Sequence, residues 1–287
     1  MNGNSTSLKI ELPSLSTGIH PNFPEDQYHA LPYVSSSFLK KFKSNPAAAL
    51  LPVNQTDAMV LGSASHAYSL EGEKAFFEKF IVAPKLDKRT KDGKAQWELI
   101  QQQAATKTVL SQDQFDVVLG LDKSLKSHPM AKTLLRTGNE EMTIIWDDEE
   151  TGLRCKARID FSPGKNCLVD YKTCASVDKF TSQIVNLNYD IQAAHYTEGA
   201  QAAEIGNDTF LFVAAETSEP YPVRCGFIHP DWLSWAKDER RRLMNLVKEC
   251  KESGVYPNYQ IPEHICSLSP ITPVDLLEEW EMPKWRK

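Results

Sequence analysis

Between Met142 and Lys172 the chain carries three short β-prone runs, joined by connections that leave little choice but a meander. Met142 to Trp146 is rich in β-branched and aromatic residues, Asp147 to Gly152 is a turn, Leu153 to Phe161 alternates strictly, and Cys167 to Tyr171 is a second apolar run. Side chains along a strand point to opposite faces in turn, so each run has a defined core face and a defined polar face. The rest of the chain has to pack around the sheet that these strands begin.

Parity then sorts the residues. Leu153, Cys155, Ala157, Ile159 and Phe161 are expected on one face, and Arg154, Lys156, Arg158 and Asp160 on the other. In the next strand Leu168, Asp170 and Lys172 share a face, with Asp170 and Lys172 roughly 6–7 Å apart along it. If the two strands pair, Asp160 comes beside Asp170. Two carboxylates that close repel one another unless a cation lies between them. A hard divalent ion, Mg²⁺ or Mn²⁺, suits that place, and Lys172 beside it can orient the attacking water. An Asp-x-Lys pair on a strand is also compatible with a solvated face and a weak ion pair. The apolar lead-in Cys167-Leu168-Val169 instead describes a buried central strand that ends in charge.

Around the meander the pattern is helical on both sides. Ser35-Ser36-Ser37 before Phe38-Leu39 is an N-cap signature, and Pro46 ends that helix. Residues 57–80 read as one helix containing Gly62 and His66, residues 84–94 as a basic loop, and residues 95–106 and 112–127 as helices. Downstream lie an alanine-rich helix over about 188–205, strands at 209–215 and 223–228, and an amphipathic helix over about 231–252. This order predicts an α/β fold with one central mixed β-sheet flanked by helices. Residues 1–30 are expected to be a loosely ordered leader, 31–258 the folded domain, and 259–287 a proline-rich tail or arm.

The net charge of −6 excludes a protein that coats DNA by bulk charge alone, so any such contact requires a local positive patch or a metal ion. No secretory pattern opens the chain and no run approaches about 18 apolar residues, so a cytoplasmic protein with no membrane span is expected. None of the six cysteines forms a C-x-x-C pair, which leaves reduced core thiols as the reading. Arg240-Arg241-Arg242 is expected to be surface charge.

The run Arg158-Ile159-Asp160, then Leu168-Val169-Asp170-Tyr171-Lys172-Thr173, then Gln192-x-x-x-Tyr196 resembles the RecB-type branch of the PD-(D/E)xK nucleases. Tyr33 to Leu39, Asn45-Pro46 and Gly62-Ser63-Ala64-Ser65-His66 narrow the resemblance to the exodeoxyribonuclease VIII (RecE) family, over about residues 28 to 250. The resemblance implies a restriction-endonuclease-like core. It implies His66, Asp160 and Asp170 as metal ligands with the Tyr171 carbonyl as a fourth, and Lys172 as the catalytic lysine. Gln192 and Tyr196 match a helix motif over the site, and their i, i+4 spacing puts them on one helix face. Glu141 matches an acidic position one strand earlier, with Glu140 beside it leaving the register open. Without the resemblance, a lone histidine such as His66 reads as a packed residue.

For DNA contacts, Arg154, Lys156 and Arg158 are candidates by sharing the Asp160 face, with a charged edge strand as the alternative. Ser36, at a helix N-terminus, is a candidate for a terminal phosphate, with ordinary capping as the alternative. By resemblance the activity is a 5′→3′ exonuclease on double-stranded DNA ends that leaves 3′ overhangs for strand annealing. It would act as a homo-oligomeric ring such as a tetramer, with a single-strand annealing protein as partner, in a bacterial cell of phage or prophage origin. The alternatives are an endonuclease or single-strand nuclease on the same core, or a catalytically silent DNA-binding protein.

Overall fold

The computed structural model describes residues 15–86, 89–104, 106–136, 138–164, 167–205 and 209–258. The expected tail at 259–287 and the first part of the leader lie outside the described residues. The second part of the leader is ordered: strand β1 (Gly18–His20) pairs antiparallel with β4 (Asn139–Asp147), and helix α1 (Glu25–Ala30) follows. Elements of three and six residues are too short to show a period.

Helix α2 (Ser36–Ser44) starts where Ser35 accepts from the Phe38 N–H. The single helix expected over 57–80 is interrupted. Helix α3 (Asp57–His66) runs into a π-helical turn (Ala67–Glu71), and Gly72 then breaks the path at φ +90° before α4 (Glu73–Lys79). Glycine takes that conformation at no steric cost, which apolar periodicity cannot register. The chain continues as β2 (Phe80–Ala83), which pairs in parallel with β3 (Thr108–Ser111) across helix α5 (Lys91–Ala104). Helix α6 (Gln112–Ser127) opens on a Ser111–Gln114 capping box, and α7 (Pro129–Leu134) leads back to the sheet.

Among the described residues the main sheet has six strands in the order β1-β4-β5-β6-β7-β8, with β5 (Arg154–Gly164), β6 (Cys167–Cys174), β7 (Thr209–Glu216) and β8 (Val223–Phe227). Only β6 and β7 run parallel, joined by α8 (Phe180–Asn186) and α9 (Tyr189–Ala202) as the crossover that a parallel pair requires. On one face α2, α9 and α10 (Pro230–Ser253) bury Leu39, Ile144, Ala157, Leu168, Ala194 and Leu243. On the other face α6 and α7 cover Val169, Tyr171 and Val213, and α3, α4, β2 and β3 form a third cluster beside it around Phe76. The result is a mixed sheet between helical layers, as the element order predicted.

The charges on β5 are mostly spent inside the fold. β5 lies between β4 and β6, so it is not an edge strand. Lys156 is buried, and its ammonium donates to the carbonyls of Tyr28, His29 and Leu31 at the end of α1. These are groups that a helix C-terminus leaves unpaired. Burial pulls the Lys156 pKa down to about 8. Arg154 forms a two-pronged pair with Asp147, roughly 20 Å along the strand from Asp160. Arg240, expected at the surface, is among the largest fully buried side chains. It reaches Asp148, and its Nε donates to His195 Nδ1. A sequence of three arginines shows no sign of which one faces inward when its partner is 92 positions away.

Candidate active site

The site is built where the sheet comes apart. β5 pairs with β6 only at the hairpin end, through Phe161–Val169 and Gly164–Cys167, with a register irregularity between them. Beyond that point the strands diverge. The vacated edge of β5 is taken by Val34, just before α2, whose N–H donates to Arg154 O and whose carbonyl accepts from Lys156 N–H. The ladder is bridged once more at the fork, where the Asp160 carboxylate accepts from the Tyr171 N–H at 2.9 Å.

β4 and β5 both lose their regular pattern at the fork. Cys155, Ala157 and Ile159 face the α9 side of the sheet, whereas Phe161 packs with Val169 and Tyr171 on the opposite side. The strict alternation expected through Phe161 therefore breaks at Asp160. Opposite it on β4, Glu141 has φ +47°, a left-handed conformation that costs a side-chain-bearing residue on the order of 1 kcal/mol or more. Glu140 pairs with Phe161 and Met142 with Ile159, while the position between them, Glu141 against Asp160, is left out of the pairing. Of the two glutamates left open by the sequence, Glu140 is exposed and Glu141 turns inward.

His66 arrives from α3. A Cβ on Gly62 would stand 3.3 Å from Thr173 Oγ1, so the glycine lets the helix lie close against β6. The Ser65 hydroxyl is 2.7 Å from the Tyr171 hydroxyl, the His66 ring stacks on the Tyr171 ring, and His66 Nε2 is 2.6 Å from the Tyr171 carbonyl. The π-helical turn begins directly after His66, a distortion common where a helix presents a functional group. His66, Glu141 and Asp160 each offer a ligand atom, and these atoms lie within 4.8 Å of one another.

Asp170 and Lys172 stand beside this group on the α9 face of β6. Asp170 is buried; its Oδ1 accepts from Gln192 Nε2 at 2.6 Å, and its Oδ2 lies 2.6 Å from Lys172 Nζ without a hydrogen bond of good geometry. Gln192 and Tyr196 share a face of α9, and α2 runs antiparallel along it: Ser36 lies beside the Tyr196 side chain, and Lys40 Nζ donates to Gln192 Oε1 at 3.2 Å. Ser36 is buried at that contact, so it serves the helix pair rather than standing open to a phosphate. Arg158 pairs with Glu141 and donates to the Phe23 carbonyl and Thr143, so its place is to hold the glutamate.

The electrostatics follow from burial at a charged cluster. Burial and then the Asp160 charge push Glu141 up to about 7. Burial lifts Asp170 to about 6 against the pull of Lys172, and lifts Asp160 as well. Burial opposes the Lys172 charge, but Asp170 and Asp160 outweigh it and hold the ammonium above the ordinary lysine range. Burial, with Lys172 nearby, lowers the His66 pKa, so its imidazole is neutral at pH 7. The Tyr171 carbonyl can only accept, so Nε2 carries the His66 proton and Nδ1 presents a lone pair. That lone pair faces Asp160 Oδ2 at 3.6 Å. Two acceptors facing each other, a neighbouring glutamate and a buried Asp170 oxygen lacking a proper donor fit a hard divalent cation. In this arrangement Glu141 joins His66 and Asp160, while one Asp170 oxygen is held by Gln192, the other lies beside Lys172 without a donor of good geometry, and the Tyr171 carbonyl is taken by His66.

A mixed sheet that splays at its centre, with two acids and a lysine in the fork, is the arrangement of the PD-(D/E)xK fold. The chain belongs to the family described as a PDDEXK-like domain of unknown function (DUF3799), whose model matches residues 35–267. No curated protein matches the chain. Among solved structures it resembles a Eubacterium rectale protein provisionally named as an exonuclease. The match has 14% identity and a TM-score of 0.63, over 92% of this chain and 100% of that one. The likeness shows the shared fold. A second structure, SSO0001, has 12% identity and a TM-score of 0.28 over 83% of this chain and 95% of that one, too distant to carry any argument.

Proposed function

We propose that this protein is a divalent-metal-dependent DNA nuclease, and in particular a 5′→3′ exonuclease that acts on double-stranded ends and leaves 3′ overhangs. The observation that carries the nuclease reading is the fork between β5 and β6. It gathers His66, Glu141 and Asp160 within 4.8 Å and sets the Asp170–Lys172 pair alongside. His66, Glu141 and Asp160 would hold the ion, with Asp170 available at its flank. Mg²⁺ or Mn²⁺ fits the carboxylates, and the imidazole shifts the set toward Mn²⁺. A bound ion would supply Lewis acidity against the scissile phosphate.

The chain's own groups do the rest. Lys172 stays protonated, so it is no general base; it steadies negative charge on the phosphate and orients a water by hydrogen bonding. Gln192 fixes the Asp170 carboxylate, and the Tyr171 N–H fixes Asp160. Strand polarity, preference for ends, a ring-shaped homo-oligomer, an annealing-protein partner and a bacterial cytoplasmic setting of phage or prophage origin all rest on the RecE resemblance. No helix among the described residues is long and apolar enough to cross a membrane.

The test is digestion of end-labelled linear duplex and closed circular DNA with Mg²⁺ or Mn²⁺, by wild type and Lys172→Met. The expected result is stepwise loss of linear duplex only, from the 5′ strand, and a fall of at least about 10²-fold in the variant with DNA binding retained. Equal digestion by both proteins overturns the site, and cutting of the circle overturns the exonuclease reading.

A further inference from the structure

Among the described residues Lys40 is the cation of this site with no carboxylate at ion-pair distance; the Asp170 and Asp190 charges act on it from further off. It lies on α2 one turn after Ser36, half-buried, and its ammonium makes one hydrogen bond, to the neutral amide oxygen of Gln192 at 3.2 Å. It also stands 5.0 Å from the centroid of the Tyr189 ring, and Lys172 Nζ stands 5.2 Å from the same centroid. Two ammonium groups thus share one aromatic ring. The other cations nearby are matched: Lys172 with Asp170, and Arg158 with Glu141. An ammonium has three donors, so two of those on Lys40 lack an acceptor among the described residues. Burial, reinforced by Lys172 and opposed in part by the Asp170 and Asp190 charges, pulls its pKa down to about 8, which still leaves it charged at neutral pH.

A half-buried cation held beside another cation, with no carboxylate in direct contact, is stabilised by an anion that reaches it. The fold nevertheless fixes Lys40 in place through Gln192 and the Tyr189 face. We propose that Lys40 contacts a non-bridging phosphodiester oxygen of the substrate strand, next to the position that Lys172 serves. This deepens the nuclease reading and rests on it. Gln192 then has two tasks: its amide oxygen aims Lys40, and its amide nitrogen holds Asp170.

The test is equilibrium binding of a short duplex oligonucleotide, with Ca²⁺ in place of Mg²⁺ and across a salt series, by wild type, Lys40→Met and Lys40→Arg. Losing one phosphate contact lowers the log–log salt slope by about 0.9. Between about 50 and 200 mM salt, wild type should therefore lose roughly 3.5-fold more affinity than Lys40→Met, and Lys40→Arg should follow wild type. Should Lys40→Met not fold, Lys40→Gln carries the same criterion. If wild type binds and cleaves and Lys40→Met keeps the same slope, the contact is refuted while the nuclease reading stands. A fall in kcat at unchanged slope means that Lys40 only orients Gln192, and also refutes the contact. A wild-type protein that neither binds nor cleaves DNA overturns both.

Discussion

Replacing Asp148 should cost more stability than replacing any exposed acid, and the amount follows from its partners. Asp148 is 3% exposed. Its Oδ1 accepts from the Thr151 N–H at 3.1 Å, the Thr151 hydroxyl at 2.7 Å and Arg241 at 2.6 Å, and its Oδ2 accepts from Arg240 at 3.2 Å. Burial alone would push its pKa up, but the donors on Arg241 and Thr151 and the Arg240 charge outweigh it and bring the carboxyl down to about 2. Against an unfolded value near 3.9, a shift of about two units corresponds to roughly 2–3 kcal/mol, on the order of a quarter of a typical domain's stability. The folded pKa is depressed, so this stabilisation is fully present above about pH 4 and is lost as pH falls toward 2. Asp148→Asn keeps an acceptor for Thr151 but removes the nearer of two carboxylates that balance the buried Arg240, leaving Glu198 at 3.8 Å. We expect it to lose about 2–3 kcal/mol in urea unfolding at pH 7 and to show a correspondingly smaller decline between pH 4 and 2. Asp148→Ala also strips the Thr151 bonds and should lose about 3–5 kcal/mol. An Asp148→Asn protein within about 0.5 kcal/mol of wild type, or one with the same acid limb, would show that the network holds nothing beyond what solvent replaces.

Two further outcomes test the assignments around the fork. Glu141→Gln should weaken Mn²⁺ binding at least about tenfold by calorimetry with the fold intact, since it removes one of three ligands. Protons compete for Glu141 near pH 7 and Asp170 near pH 6, so the half-saturating metal concentration in wild type should fall as pH rises from 6 to 8; a flat profile would exclude both acids from the site. Lys156→Met should destabilise the protein by about 2–4 kcal/mol, by orphaning the carbonyls at the end of α1, while leaving the salt slope of DNA binding unchanged. A lower slope would return Lys156 to the DNA surface.

Sequence order and parity were enough to place the sheet, because alternation over β5 and β6 and short connections admit few topologies. The Asp170–Lys172 pairing followed from the same rule, since two residues along a strand must share a face. What parity could not show is the kink. Asp160 and Glu141 reach the site because the strands break their alternation there, Glu141 by a left-handed backbone that most residues avoid. The second omission was Lys40, which carries no motif. A signal existed in the spacing: Ser36 and Lys40 are one turn apart, as are Gln192 and Tyr196, and antiparallel packing of α2 on α9 matches them in two pairs. Reading it required knowing that those helices meet, which depends on Val34 filling the edge that β6 vacates.

The chain's negative charge sharpens what remains. Of the basic residues expected to meet DNA, Lys156 is sealed under α1, Arg154 is paired to Asp147, and Arg158 holds Glu141. Each is a cation spent on its own fold, so none draws a phosphate without first breaking a contact. At the fork itself, the attraction that offsets a net charge of −6 would then fall to an ion held there, Lys172 and Lys40. Few protein cations at the phosphates mean few counterions released, hence shallow salt dependence for one subunit. Tight association has to come from shape around the duplex or from several copies acting together, where contacts multiply without any one surface becoming basic. If an ion is held by His66, Glu141 and Asp160, it would carry much of the attraction for the scissile phosphate that the fold's own paired cations do not supply.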